Sequence, residues 1–289
     1  MTGPSLIPLV ASTAVVITGW SCLLWAISVM RRNAGHGDVG WGLSFVLAAL
    51  VALSLGDAMG ARRYLLPGAV ALWGLRLVAT LGWRNLVMGL HPGGEMNLKE
   101  DRRYLALRRR FGARFGWVSG PLLFFPRAML ALAMVMPLLV AQSVPGRSPL
   151  YWLDYLGVAV FGLGMAFEAV ADGQLLSFRH NPGGHGQVLT TGLWRYSRHP
   201  NYFGSFLSQV GIFLIALAAG SSVAWTLAAP LLFGLVLYKL TGVPLCERGI
   251  EQRRPRYAEY RARTSSFFPW FPRRVATRTD AGTPVRQTA

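Results

Sequence analysis

The sequence predicts an all-α, polytopic membrane protein of about seven transmembrane helices. Three observations carry this reading. The 289-residue chain is 53% hydrophobic yet has a formal net charge of +17, a combination foreign to most soluble domains. Its apolar residues fall in runs of about 17–25, the length a helix needs to cross the hydrocarbon. Its cations gather in every second connection between those runs. The basic excess then needs no nucleic acid. It suits loops that face an anionic leaflet or bind a phosphorylated ligand.

The runs fall at 6–30, 41–59, 64–82, 117–141, 150–171, 201–219 and 222–243. The first has no Lys or Arg before it and is too long for a signal sequence core, so it reads as a retained span. Pro126-Arg127 interrupts the fourth, and Pro230 predicts a kink in the seventh. Cys22 and Cys246 lie far apart, which argues against a disulfide and supplies no metal cluster. Residues 1–274 read as a single membrane domain and 275–289 as a polar, disordered tail. Arg31, Arg32, Arg108, Arg109, Arg110, Arg114, Arg179, Arg195, Arg198 and the basic tail share one side, against Arg62, Arg63 and Arg147 on the other. With an odd span count this places the N-terminus outside and the C-terminus in the cytoplasm, across a bacterial inner membrane.

Polar residues inside the spans carry the functional signal. Arg76, in "LWGLRLVATLGW", shares its helical face with Trp73, Thr80 and Trp83. A lone arginine there costs roughly 2.5–3.5 kcal/mol on insertion scales, so it reads as a structural ion pair or a cavity lining. Glu168 and Asp172 are four apart at the predicted end of the fifth span, on one face and against the helix dipole, which calls for a partner. Asp38, in "GDVGW", fits a helix N-cap as well as it fits chemistry.

In "GLWRYSRHPNYFGS", Pro200 suits the first turn of a helix. Arg198 and His199 would then flank its exposed N–H groups and form an anion site. Asn201, Ser205 and Gln209 recur every four residues and extend a polar stripe into the membrane. An aromatic–basic belt of Trp194, Arg195 and Tyr196 is the alternative, but it leaves that stripe unexplained. Glu247, Glu251, Tyr257, Tyr260 and Arg261 could form an amphipathic helix roofing the site, or a plain membrane-surface helix. "NPGGHG" at 181–186 is a glycine-rich turn, weak as a phosphate cradle.

These segments together resemble the bacterial branch of the membrane steroid 5-alpha-reductase family. The motifs "GDVGW", "LWGLRL", "EDRRYLALRRRFG", "FEAVADGQL", "GLWRYSRHPNYFG" and "GVPLCE…RPRYAEYRARTSSFFP" occur in order over nearly the whole chain. The RHPNY segment is also similar to sterol carbon-14 reductases and, without the Asn, to isoprenylcysteine carboxyl methyltransferases. The resemblance implies a seven-helix fold whose cytoplasmic loops form an NADPH site, and reduction of an activated carbon–carbon double bond in a lipophilic substrate. Arg84, Asp172, Arg179, Tyr196, Arg198, His199, Asn201 and Tyr202 occupy its cofactor-associated positions, beside Arg195. Glu247 and Tyr257 fall in its closing segment. Two departures stand out: Ser205 follows the motif glycine where relatives carry an acid, and Trp73 stands where the steroid-reducing enzymes have a tyrosine. The expected chemistry is hydride transfer to the beta carbon of an enone, with Asp38, Glu168 and Tyr202 as candidate donors. The rivals are an S-adenosylmethionine-dependent methyltransferase and a non-enzymatic lipid-binding protein.

Overall fold

The computed structural model describes residues 6–89, 100, 102–144, 149–181 and 186–273, without the side chains of 84–89, 102 and 103. The regular structure of the described chain is helical: α1 (Leu6–Met30), α2 (His36–Leu55), α3 (Arg62–Gly89), α4 (Arg102–Phe111), α5 (Phe115–Ser119), α6 (Phe125–Gln142), α7 (Trp152–His180), α8 (Pro200–Leu217), α9 (Ala228–Leu235), α10 (Val243–Glu247), α11 (Ile250–Arg253) and α12 (Tyr257–Arg263). Among the described residues no strand forms, only a parallel bridge between Ser197 and Ser265. Among the described residues, seven helical stretches are long and apolar enough to cross a membrane. This is the architecture of an integral membrane protein.

The helix ends differ from the expected ones in informative ways. The second span begins at His36, so Asp38 lies in the first turn of α2 and Gly35 takes the cap position. Asp38 is therefore no N-cap; its side chain goes elsewhere. The fifth span does not end near Ala171. It continues to His180, which puts Glu168 and Asp172 mid-helix and removes the dipole argument made for them. Loss of apolarity marks the edge of the hydrocarbon, not the end of the helix. The fourth span is not interrupted at Pro126. A π-turn over Gly120–Phe124 precedes it, so the proline enters α6 in its first turn, where a missing N–H is harmless. Pro230 does the same in α9, following the 3₁₀ turns of Ser221–Leu227. The closing segment is three short helices rather than one amphipathic helix. The 182–185 part of the glycine-rich turn and the 275–289 tail lie outside the described residues.

The core joins α2, α3, α6 and α8 around Phe45, Trp73, Leu138 and Ile212. Trp73 is completely buried and meets Phe45, Trp41 and Phe233 edge-to-face, at 4.7, 6.4 and 5.9 Å between ring centres. On the far side of the bundle, Arg62 forks onto Asp154, Nε to Oδ1 at 2.8 Å and Nη2 to Oδ2 at 2.7 Å, both side chains buried. Asp154 also accepts the Tyr151 N–H at the start of α7. One of the few cations on that side is thus neutralised within the fold.

Helices α7 and α8 pack backbone to backbone. A Cβ at Gly164 would stand 2.4 Å from the Ser208 nitrogen, and one at Gly204 would stand 2.6 Å from the Glu168 nitrogen. Gly157 and Gly211 continue the seam one heptad away on each helix. In lipid no hydrophobic effect drives helices together, so small residues that permit close approach decide which ones pair.

Candidate functional site

The glycine seam brings the acids of α7 against the polar stripe of α8. Ser205 Oγ donates to Glu168 Oε1, and Asn201 Nδ2 donates to Asp172 Oδ1 at 3.0 Å. Arg76 reaches across from α3. Its Nη1 lies 2.6 Å from Glu168 Oε1, and its Nη2 donates to Asp172 Oδ2. Glu168 is 2% exposed, Arg76 12% and Asp172 22%, so the cluster opens toward the end of α7 that lies nearer the basic loops. Five side chains from three helices thus form one network inside the bundle. Arg76 answers the question its sequence position raised: it is paired, and the pair lines a polar interior.

The network is not closed. Trp73 Nε1, Arg76 Nε, Glu168 Oε2 and Ser208 Oγ are buried with no hydrogen-bond partner. The Trp73 indole lies beside the Glu168 carboxylate, yet its N–H completes no bond of good geometry. An unsatisfied buried polar atom costs about 1–3 kcal/mol, and such groups are ordinarily met by water or ligand. Trp73 Nε1 and Arg76 Nε can each donate and Glu168 Oε2 can accept within the network, while Ser208 Oγ lies in the glycine seam against Gly164.

A second cluster lies at the entrance to α8. Arg198 forks onto Glu247, Nε to Oε1 at 2.8 Å and Nη2 to Oε2 at 3.2 Å. Its Nη1 donates to the carbonyls of Thr264 (2.8 Å) and Arg261 (3.1 Å). His199 Nε2 lies 3.1 Å from Glu247 Oε1, and the His199 ring stacks on Tyr202 at 5.2 Å. Tyr202 Oη lies 3.1 Å from Cys246 Sγ. Burial, then the neighbouring Glu247 carboxylate, pushes the Tyr257 phenol above its ordinary value. The anion expected at Arg198 and His199 is therefore, in this structure, the protein's own Glu247. A phosphate could reach Arg198 only by displacing that carboxylate.

The remaining candidates are dispersed. Asp38 sits in a third cluster, where it accepts Tyr104 Oη (2.5 Å) and Arg127 Nη2 (2.8 Å), while Arg127 Nη2 also donates to Tyr104 Oη (2.5 Å). That contact ties α2, α4 and α6 together, so Asp38, Glu168 and Tyr202 do not converge on one point. Arg179 is exposed near the end of α7. Arg195 is exposed above the Tyr196 ring, which packs on Phe271. Arg84 lies on α3 with its side chain outside the described residues. Sequence reasoning missed Tyr104 and Arg127; the available signal was an arginine inside an apolar run, read there only as an interruption.

Fold and site together define a seven-span integral membrane protein with an intramembrane arginine–carboxylate network. Residues 24–264 match the family described as Protein of unknown function (DUF1295), and the chain belongs to that family. It is 23% identical over 273 residues to an uncharacterised protein of Schizosaccharomyces pombe, covering 86% of this chain and 76% of that one. No solved structure matches it.

The seam makes a direct prediction. Gly204→Ala should force α7 from α8 and destabilise the protein by about 1–3 kcal/mol. Gly162→Ala, on the same helix pair but with nothing within 4 Å of the added methyl, should be neutral or better. Equal unfolding midpoints for the two variants in detergent would contradict the seam.

Proposed function

We propose that this protein is an integral-membrane oxidoreductase that uses NADPH to reduce an activated carbon–carbon double bond, the enone of a steroid or other lipophilic substrate. One observation carries the proposal: a polar stripe runs from the basic end of α7 and α8 to four unpartnered polar atoms inside an otherwise apolar bundle. The motif resemblance to the membrane steroid 5-alpha-reductase family supports it independently.

The residues present fit the cofactor in a modified form. Arg179 and Arg195, exposed at the rim, would meet its phosphates. Arg198 would instead hold the closing segment through Glu247. Asp172 and Asn201 would accept and donate along the stripe, and Trp73 and Arg76 would receive the polar groups at its inner end. NADPH, when bound, supplies the hydride. Glu168 Oε1 is engaged by Arg76 and Ser205. Its Oε2, which neither of them engages, would carry the proton destined for the substrate when Glu168 is in its acid form, Asp172 alone then countering Arg76. The surrounding bundle keeps bulk water from that exchange.

One feature favours a second reading. Two carboxylates face one guanidinium, and a formal negative excess suits a cationic sulfonium. An S-adenosylmethionine-dependent methyltransferase is accordingly the alternative. Asn201→Leu separates the two. Leu is bulkier than Asn but similarly branched, and it strips Asp172 of one of its two partners, leaving Arg76; a loss of about 1–3 kcal/mol corresponds to roughly 5- to 150-fold. NADPH oxidation with a panel of cyclic enones and quinone-like lipids should fall by that factor while the variant stays folded. Methyl transfer from labelled S-adenosylmethionine to membrane lipids that depends on Asn201, with no NADPH oxidation on any acceptor, would move the assignment to the methyltransferase.

We also infer that the N-terminus lies outside and the C-terminus in the cytoplasm of a bacterial inner membrane. The excess of Lys and Arg in the loops that share a side with the C-terminus supports this. Reporter fusions should read as cytoplasmic at the C-terminus and as external in loop 142–149; the reverse pattern would refute the orientation, and matching signals would refute the span assignment.

A further inference from the structure

Beyond α12 the chain runs without helix over 264–273, as a strap across the entrance to α8. It is stitched to the loop before that helix. Arg198 N–H donates to Ser265 O at 2.8 Å, Ser197 Oγ to Phe267 O at 2.8 Å, and Trp270 N–H to Tyr196 O at 2.9 Å. Aromatic contacts fix its depth. Phe267 and Phe268 pack on Phe203 and Phe206 in the first two turns of α8, and Phe267 also meets Tyr238 near the end of the last span. The strap therefore lies where the hydrocarbon gives way to headgroups.

Its outward face combines two chemistries. Phe268, Trp270 and Phe271 are 58%, 72% and 76% exposed, an aromatic patch that water alone would not favour. Four cations surround it. Arg195 lies beside Tyr196, whose ring touches Phe271. Lys239 lies over Tyr238, whose ring touches Phe267. Arg263, whose guanidinium also pairs with the exposed Glu259 at 2.8 Å, is joined to Arg273 by the bond from Arg273 N–H to Arg263 O, 2.8 Å. Large rings enter the interfacial region of a bilayer, and arginines beside them meet lipid phosphates.

We propose that the strap is a docking surface for an anionic bilayer. The rings insert at the headgroup boundary and the four cations bind acidic phospholipids. Because the strap shares hydrogen bonds with Tyr196, Ser197 and Arg198, docking also tightens the loop that presents Arg198 to Glu247. Lipid charge thus sets the order of the cytoplasmic wall of the site. This inference is independent of which cofactor the site takes.

The test is hydrogen exchange of the full-length protein in nanodiscs of phosphatidylcholine, compared with an equal mixture of phosphatidylcholine and phosphatidylglycerol. Amides in 192–200 and 264–273 should exchange at least about tenfold more slowly in the anionic discs, given the pull of several cations on the surface. High salt should abolish the difference, and exchange within α3 and α7 should be the same in both. Equal rates in the two discs, or a difference insensitive to salt, would overturn the proposal. Arg263→Gln with Arg273→Gln should exchange like wild type in phosphatidylcholine and lose the response to phosphatidylglycerol. A response that survives intact would overturn it too.

Discussion

A guanidinium inside the hydrocarbon must be neutralised where it stands, and Arg76 is the group around which this bundle is arranged. Its two carboxylates come from one helix, spaced so that both reach it. Because α7 also lies against α8 at backbone distance, Ser205 and Asn201 join them as further partners. Had bulkier residues replaced Gly164 or Gly204, the acids would lose those donors and face Arg76 alone. The cost of removing one partner from a buried charge pair, about 3–5 kcal/mol, exceeds what a few lipid-facing leucines could offset. Electrostatics and close packing therefore specify the same helix pair.

The first turns of α8 serve two clusters at once. Asn201 and Ser205 look toward α7 and the interior. Arg198 and His199, just ahead of the helix, look toward Glu247 and the closing segment. Any ligand that moves one end of this short stretch is felt at the other, because Pro200 and the stitched strap leave it little freedom. The Glu247 carboxylate also removes an uncompensated positive charge from the mouth of the site. Arg179, Arg195 and Arg261, whose carbonyl accepts from Arg198, are exposed cations on the surrounding segments.

Much of this was legible in the sequence, and the reasons are physical. Span number follows from apolar runs of bilayer length, and seven such helices are present among the described residues. The pairing of Glu168 with Asp172 on one face follows from the helical repeat. The stripe of Asn201, Ser205 and Gln209 follows likewise, and all three are partly or fully buried. What the sequence hid was non-local. The sequence put Glu247 in a segment over the site, but nothing near Arg198 announces that this carboxylate, 49 residues later, takes the anion position itself. Helix ends were misjudged because hydropathy reports the membrane boundary, while α7 runs on past it to His180. Asp38 looked like a cap because its partners, Tyr104 and Arg127, lie 66 and 89 residues away.

The proposed function requires that the polar network between α3, α7 and α8 receive a reduced nicotinamide dinucleotide. Thermal unfolding of the purified full-length protein across a titration of NADPH, beside the same titration of S-adenosylmethionine, tests it most directly. A ligand present at about 100 times its Kd stabilises the folded state by ~2.7 kcal/mol. The account predicts a saturable rise in unfolding temperature with NADPH and none with S-adenosylmethionine. A rise with S-adenosylmethionine alone, or with neither, would contradict it.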